Sequence, residues 1–244
     1  MTPFHIDGPA LVSFSGGRTS GYMLRRILDE GLQPDVHVVF ADTGKERAET
    51  YAFVEACAQQ WQVIIHHVER PGGFTQLITD RSCLPNPVQR FCTQELKIRP
   101  MRDWMRARGY DHWTSIVGIR ADEPRRVARL REATESRHER WDIALPLADA
   151  GITEADVMAF WAAQSFDLHL RQSEGNCDLC FLKGSRKRQQ IMRDRPDLAV
   201  WWIEQERRMG DVFRRGSPSY AALASQGDLF TARDESLTEC YCHD

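Results

Sequence analysis

Ala10-Leu11-Val12-Ser13-Phe14-Ser15-Gly16-Gly17-Arg18-Thr19-Ser20 is the stretch whose reading decides the fold. Ala10–Ser15 reads as a buried strand, and it runs straight into two glycines and a helix from about Thr19 to Glu30. Gly31 stands where a left-handed helix cap is wanted. A strand that passes through Ser-Gly-Gly into a helix places several free backbone N–H groups at a helix N-terminus, a geometry that binds phosphate without a charged side chain. Glycine matters there because the backbone must approach the anion and a Cβ blocks it. Ser13, Ser15, Thr19 and Ser20 add hydroxyls, and Arg18 adds a positive charge. The plainer reading is a glycine-containing strand-to-helix turn of the kind any α/β protein has. The pattern lacks GxxxxGK[ST], so an ordinary P-loop nucleotidase is not indicated.

Outward from this loop, Val36–Ala41 is a second apolar strand, Glu46–Trp61 a second helix and Val63–Val68 a third strand. This βαβαβ order predicts an α/β fold: an open, mostly parallel twisted sheet with right-handed crossovers and helices on both faces. Residues 70–95 are rich in Gly, Pro, Asn and Arg and read as a long loop. Arg99–Gly109 follows as a helix, Thr114–Gly118 as a fourth strand, and Ile143–Leu147 closes a fifth segment. Thr153 to Asp156 resembles a capping box, and a further helix lies around Leu198–Met209. The expected organisation is a nucleotide-binding domain over residues 1–165. A small helical, Cys-bearing segment and tail over 166–244 is expected to pack on the same domain, with the tail from about Gly216 lying loosely.

At 244 residues, with 42% hydrophobic and 27% charged residues, the chain has the composition of a soluble globular protein. No apolar run approaches a membrane span, and the N-terminus lacks a basic region followed by an apolar core, so no membrane partner and a cytoplasmic location are expected. In that reducing compartment seven cysteines point to metal ligation or thiol chemistry rather than a disulfide framework. The net charge of −3 is uneven: from Arg81 to Arg131 there are 12 Lys/Arg against 5 Asp/Glu, an excess of 7. As a block this suits an anionic ligand, a nucleotide or a nucleic acid.

Four ordered motifs carry a family resemblance: Ser13–Ser20; Asp42-Thr43-Gly44 followed by Glu49-Thr50; Arg90-Phe91-Cys92-Thr93 through Leu96-Lys97 to Pro100; and Gly118-Ile119-Arg120 through Glu123. They resemble the SGGxxS, DTG…ET, RxCTxxLKxxP and GxRxxE segments of the PP-loop adenine nucleotide α-hydrolase superfamily, in its PAPS reductase branch. The resemblance covers residues 13–126 and is weaker beyond about 150. It implies ATP or another adenine nucleotide, with Mg2+, as ligand. Asp42, at the carboxyl end of a strand, can accept from a ribose hydroxyl or hold a metal–phosphate, or it caps the segment after Gly44. Lys97, Arg120 and Arg125 are candidates to neutralise phosphate or sulfate oxygens; Arg126 and Arg129 read as solvated. Gly118 joins the nucleotide-contacting set.

Cys92 stands in the basic stretch, where Arg90 and Lys97 are expected to favour its thiolate. Cys177 and Cys180 form a CxxC, a pattern shared by zinc, iron–sulfur and dithiol sites. Cys240 and Cys242 lie in the closing Glu-Cys-Tyr-Cys-His-Asp. The resemblance implies Cys92, Cys177 and Cys180 as ligands of a [4Fe–4S] cluster, with Cys242, Cys240 or Cys83 as fourth or the fourth iron left open for a sulfur atom. It departs from the family in having Phe91 where a second, adjacent cysteine is expected. The ending resembles the family's ECGxH, which implies Cys240 as catalytic nucleophile. Cys57 reads as core.

Two enzymatic expectations follow from the resemblance. One is ATP cleavage between the α- and β-phosphates that adenylylates an acceptor, followed by sulfur transfer, which the intact Ser15-Gly16-Gly17 favours. The other is reduction of adenylyl sulfate or its 3′-phosphate with Cys240 as nucleophile. The first is the reading adopted. A sulfur or electron donor protein and a nucleic-acid acceptor are the partners that fit it. A non-catalytic nucleic-acid-binding module, served by Lys183, Arg186, Lys187, Arg188, Arg193 and Arg195, is the third reading.

Overall fold

The structure, a computed structural model, describes residues 2–135, 141–171, 174–175 and 177–225. In chain order the elements are β1 (Ala10–Ser13), α1 (Arg18–Asp29), β2 (Val36–Asp42), α2 (Ala48–Trp61), β3 (Ile65–Glu69), α3 (Gly73–Arg81) and α4 (Phe91–Thr93). A π-helical turn over Gln94–Ile98 leads into α5 (Arg99–Ala107), followed by β4 (Trp113–Val117), α6 (Pro124–Glu135), β5 (Trp141–Ala144), α7 (Pro146–Asp149) and α8 (Glu154–Ala162). The last described helices are α9 (Ser185–Asp194), α10 (Ala199–Met209) and α11 (Tyr220–Ser225). None of them is long and apolar enough to cross a membrane.

Two compact units share these elements. Met1–Asp42, Ala48–Val68 and Ile98–His169 make the first; Thr43–Arg47, Glu69–Lys97 and the chain from Leu170 make the second.

The first unit carries a five-stranded sheet in the order β3-β2-β1-β4-β5, with β1 parallel to β2 and β4, and β4 parallel to β5. The α/β architecture expected from the alternation of strand and helix signals is the one observed. Strand residues alternate between two covered faces, as they must when crossover helices lie on both sides. Leu11, Val39 and Ala41 pack with Met105 of α5 and with Trp113, while Phe40, on the opposite face from Val39, meets α2 at the glycine loop. Helix α1 packs on α8, where Gly21 admits the Trp161 ring: a Cβ at Gly21 would lie 2.7 Å from Trp161 Cζ2.

The second unit has its own core, in which Phe74, Leu77 and Ile78 of α3 meet Leu96, Leu179, Phe181, Ile191, Trp202, Phe213, Tyr220 and Leu223. Two expectations are corrected here. Residues 70–95 are not a long loop, since α3 and α4 lie within them. Phe74, Leu77 and Ile78 fall at i, i+3 and i+4, which is one helix face, but the surrounding Gly and Pro outweighed so short an apolar stripe. Nor is the chain after Gly216 loose throughout, because α11 buries Tyr220 and Leu223 completely.

Candidate functional site

The sheet order reverses at β1: the chain moves outward through β2 and β3, then returns to the other side of β1 for β4 and β5. Ligands of open α/β sheets collect at such a switch point, beyond the carboxyl ends of the strands. Because the strands are parallel, Ser15-Gly16-Gly17 after β1, Asp42 at the end of β2 and Gly118–Arg120 after β4 all leave the sheet at that edge.

Gly16 occupies the left-handed region at φ +71°, and a Cβ built on it would lie 2.6 Å from Thr50 Cγ2, 3.0 Å from Val54 Cγ2 and 3.3 Å from Phe40 Cε2. Conformation and space both demand glycine. The buried Ser20 hydroxyl ties the loop together: it accepts from the Ser15 amide (3.2 Å) and the Gly17 amide (3.3 Å), and donates to the Gly17 carbonyl (2.9 Å). Ser15 Oγ lies 2.9 Å from the same hydroxyl. Gly118 approaches this turn so closely that a Cβ on it would be 3.4 Å from Ser20 Cα. Ser13 Oγ contacts Met101 Sδ at 3.8 Å, and Thr19 is half-buried in the first turn of α1.

Arg18 and Arg120, two of the charged candidates of this unit, are engaged with carboxylates. Arg18 forms a two-pronged pair with Asp167 (Nε to Oδ1 2.7 Å, Nη2 to Oδ2 2.5 Å), and its carbonyl accepts from Trp161 Nε1 at 2.8 Å. Segment 161–167 thus grips the residue that follows the two glycines. Arg120 donates to Asp122 at 2.8 Å and lies 3.9 Å from Glu123 and 3.6 Å from Glu154. Burial disfavours its charge, but those carboxylates outweigh burial and hold its pKa above the ordinary value. Arg125 is exposed, whereas Arg126 is not a solvated arginine: it pairs with Glu123. Asp42 Oδ1 accepts from the Tyr51 hydroxyl at 2.7 Å.

The second unit gathers a different set. Thr43 and Gly44 open a loop whose Lys45 carbonyl accepts from the Asp178 amide (2.8 Å), and Glu46 bridges Cys177 in antiparallel fashion. The buried Glu46 carboxylate is the hub. Its Oε1 accepts from Thr43 Oγ1 at 2.9 Å and lies 3.8 Å from both Cys177 Sγ and Lys97 Nζ. Lys97 is carried by the π-helical turn, a local widening often found where a side chain must be re-aimed at a functional position. Lys45 Nζ lies 4.3 Å from the centre of the Trp201 ring, and burial lowers its pKa against the pull of Asp178. Cys92 is close enough to Cys177 for a charge on one to oppose a charge on the other. The expected thiolate is not what this protein favours at Cys92. Burial, with Cys177 adding to it, raises its pKa to about 11 and outweighs Arg90 and Lys97, which pull it down.

Among the described residues no group of three or more His, Cys, Asp and Glu side chains is placed to hold a metal ion. Cys92 and Cys177 are electrostatic neighbours, while Cys180 is buried and interacts with Tyr220. The described residues therefore fall short of the sulfurs that a [4Fe–4S] cluster requires. Cys240 and Cys242 lie outside the described residues. Cys57 is core, as expected, and its thiol is pushed far up by burial.

The family model of the phosphoadenosine phosphosulfate reductase domain matches residues 9–170. The chain belongs to this family. The resemblance read from four short motifs is thereby confirmed over residues 9–170. A curated relative is the uncharacterized nin region protein ORF290 of Escherichia phage lambda, 32% identical over 205 residues, covering 72% of this chain and 67% of that protein. An uncharacterized protein of Methanocaldococcus jannaschii is 32% identical over 118 residues, 48% of this chain and 24% of its own length. Among solved structures, the phosphoadenylyl-sulfate reductase of Candida auris in a phosphate complex aligns with TM-score 0.45 at 15% identity, over 66% of this chain and 79% of that one. The U34-tRNA thiolase NcsA of Methanococcus maripaludis, with its [4Fe-4S] cluster, aligns with TM-score 0.46 at 15% identity, over 89% and 80%.

Of the residues singled out in this PAPS reductase-family chain, Ser13, Ser15, Gly16, Gly17, Arg18, Thr19, Ser20, Asp42, Gly118, Arg120 and Arg125 belong to the first unit. Thr43, Gly44, Cys92, Lys97, Cys177 and Cys180 belong to the second. Sequence reasoning missed Glu46, which read only as the start of a helix, and Asp167 and Trp161, which reach Arg18 from nearly 150 positions away.

The Arg18–Asp167 pair has a measurable pH signature. Arg18 holds the Asp167 carboxyl below its ordinary pKa. A depressed carboxylate contributes stability above its unfolded value of about 3.9 and loses it as pH falls through the lower folded value. Asp167→Asn should lower Tm at pH 7 by about 2–4 °C, roughly 1 kcal/mol. The gap to wild type should close on acidification below pH ~4. A pH-independent gap in thermal melts would mean that the pair contributes nothing through its charge.

Proposed function

We propose that this chain is an adenine-nucleotide-dependent enzyme of sulfur chemistry, cleaving ATP between the α- and β-phosphates to adenylylate an acceptor that then receives sulfur. The observation that carries the reading is the intact Ser15-Gly16-Gly17 turn at the switch point of the sheet, with Gly16 fitted so closely that no Cβ is admitted. Turned from Ser20, its amides together with the N-terminus of α1 would cradle a pyrophosphate-sized anion. Asp42 stands at the same sheet edge, where a carboxylate orients a ribose hydroxyl or a magnesium-bound phosphate. Arg120, held by three carboxylates, adds little net positive charge, so backbone donors are assigned most of the phosphate binding.

The thiols of the second unit are the proposed sulfur-handling groups, with Glu46 orienting Cys177 and Lys97 balancing the charge on Glu46. A [4Fe–4S] cluster using Cys92 and Cys177 needs further ligands, for which Cys240 and Cys242 are the candidates. Bound there, it would supply the sulfur- or electron-carrying capacity that the side chains lack.

The family match favours one alternative, reduction of a sulfonucleotide, for which Cys240 is the proposed nucleophile. One experiment separates the two. Anaerobically purified protein, its iron and sulfide content measured, is incubated with labelled ATP, adenylyl sulfate or its 3′-phosphate in the presence of a thiol reductant. Pyrophosphate released from ATP supports the first reading. Sulfite released from a sulfonucleotide, with ATP untouched, replaces it by the second.

A further inference from the structure

The floor under Gly16 holds an unexplained polar atom. The three atoms nearest a Cβ at Gly16 belong to Thr50, Val54 and Phe40, and of those side chains only Thr50 carries a polar group. Thr50 is fully buried, and its Oγ1 makes no hydrogen bond among the described residues. A buried hydroxyl without a partner is costly, and at Val54's neighbouring position the same space is filled by an apolar β-branched side chain. The Thr50 methyl already supplies the packing, so the hydroxyl has no evident structural task. Meanwhile the Ser15 and Gly17 amides, which a phosphate would need, are both turned onto Ser20 Oγ. A peptide unit is rigid and planar, with N–H and C=O pointing in opposite directions. Swinging the Gly17 N–H out toward an anion therefore turns the Gly16 carbonyl the opposite way, and the side chain packed beneath Gly16 through its methyl is Thr50.

We propose that Thr50 is a positioning residue of the phosphate loop: its buried hydroxyl donates to the Gly16 carbonyl when the loop turns its amides from Ser20 toward a bound phosphate. The loop then has two arrangements, one closed on Ser20 and one held by Thr50, and an anion selects the second. This inference rests on the nucleotide-binding reading above.

The test uses the full chain and two variants of one contact. ATP and inorganic pyrophosphate are titrated calorimetrically into wild type, Thr50→Val and Thr50→Ser, and Tm is measured for each without ligand. Thr50→Val keeps the shape and removes the hydroxyl, so its ligand-free Tm should equal or exceed that of wild type while affinity for both probes falls about tenfold. Thr50→Ser keeps the hydroxyl and loses the methyl, so its Tm should fall while its affinity stays within about twofold of wild type. Opposite signs on stability and affinity are what a merely structural threonine cannot produce. Wild-type affinity in Thr50→Val overturns the inference and leaves the nucleotide reading standing. Failure of wild type itself to bind either probe overturns both.

Discussion

Gly16→Ala should leave a chain that no longer binds nucleotide and is markedly less stable. Two costs add at this residue. An alanine held at φ +71° carries the left-handed penalty of about 1–2 kcal/mol. Its Cβ must also displace Thr50 Cγ2 from 2.6 Å and Val54 Cγ2 from 3.0 Å, an overpacking that typically costs about 1–3 kcal/mol. Together these amount to about 2–5 kcal/mol, or a Tm lower by roughly 5–15 °C for a chain of this size. Relief of the clash requires Gly16 to move away from α2, which displaces the amides that flank it and misaligns the anion cradle. Calorimetric titration with ATP and a thermal melt of the same sample check both halves. A variant that melts with wild type and binds ATP as tightly would show that the loop has room that the structure denies it.

Asp178→Ala is expected to be the most damaging substitution in the second unit. Asp178 is buried, accepts from Trp202 Nε1 at 2.8 Å and from the Leu179 amide at 2.5 Å, and faces the charges of Lys45 and the fully buried Lys183. Burial pushes its carboxyl pKa up, and those donors and cations oppose the push. Lys183 in turn donates to the Cys177 carbonyl, so the network fixes the CxxC segment. Removing the carboxylate takes a negative charge from beside the buried Lys183 and leaves the Trp202 and Leu179 donors without their acceptor, for which a loss of about 3–5 kcal/mol is typical. Asp178→Asn keeps an acceptor for Trp202 and Leu179 and should lose less, which separates the charge from the hydrogen bonds. Urea denaturation followed by tryptophan fluorescence reads Trp202 directly. A loss below about 1 kcal/mol in Asp178→Ala would mean that Lys183 finds its compensation elsewhere.

The pattern of signals along the chain determined the fold class, the Ser-Gly-Gly turn and the family, because each is written in contiguous residues. The apolar strand signals over Ala10–Ser15 and Val36–Ala41, the Ser-Gly-Gly turn, and the RxCTxxLKxxP spacing are all of this kind. The helix over Gly73–Arg81 escaped that reading because its three apolar residues stand among glycines and charges, and only packing against Trp202 and Phe213 selects the helix. The partners of the site residues were decided by tertiary structure alone. Nothing near Arg18 in sequence announces Asp167, and nothing near Cys177 announces Glu46. Nothing local requires Thr50 to lie beneath Gly16. The basic residues around Cys92 pointed to a thiolate, but the energy of a charge depends on how much water the fold removes from it, and at Cys92 burial outweighed them. Motifs identify which groups take part; the solvent and counter-charges that set their chemistry come from segments far apart in the chain.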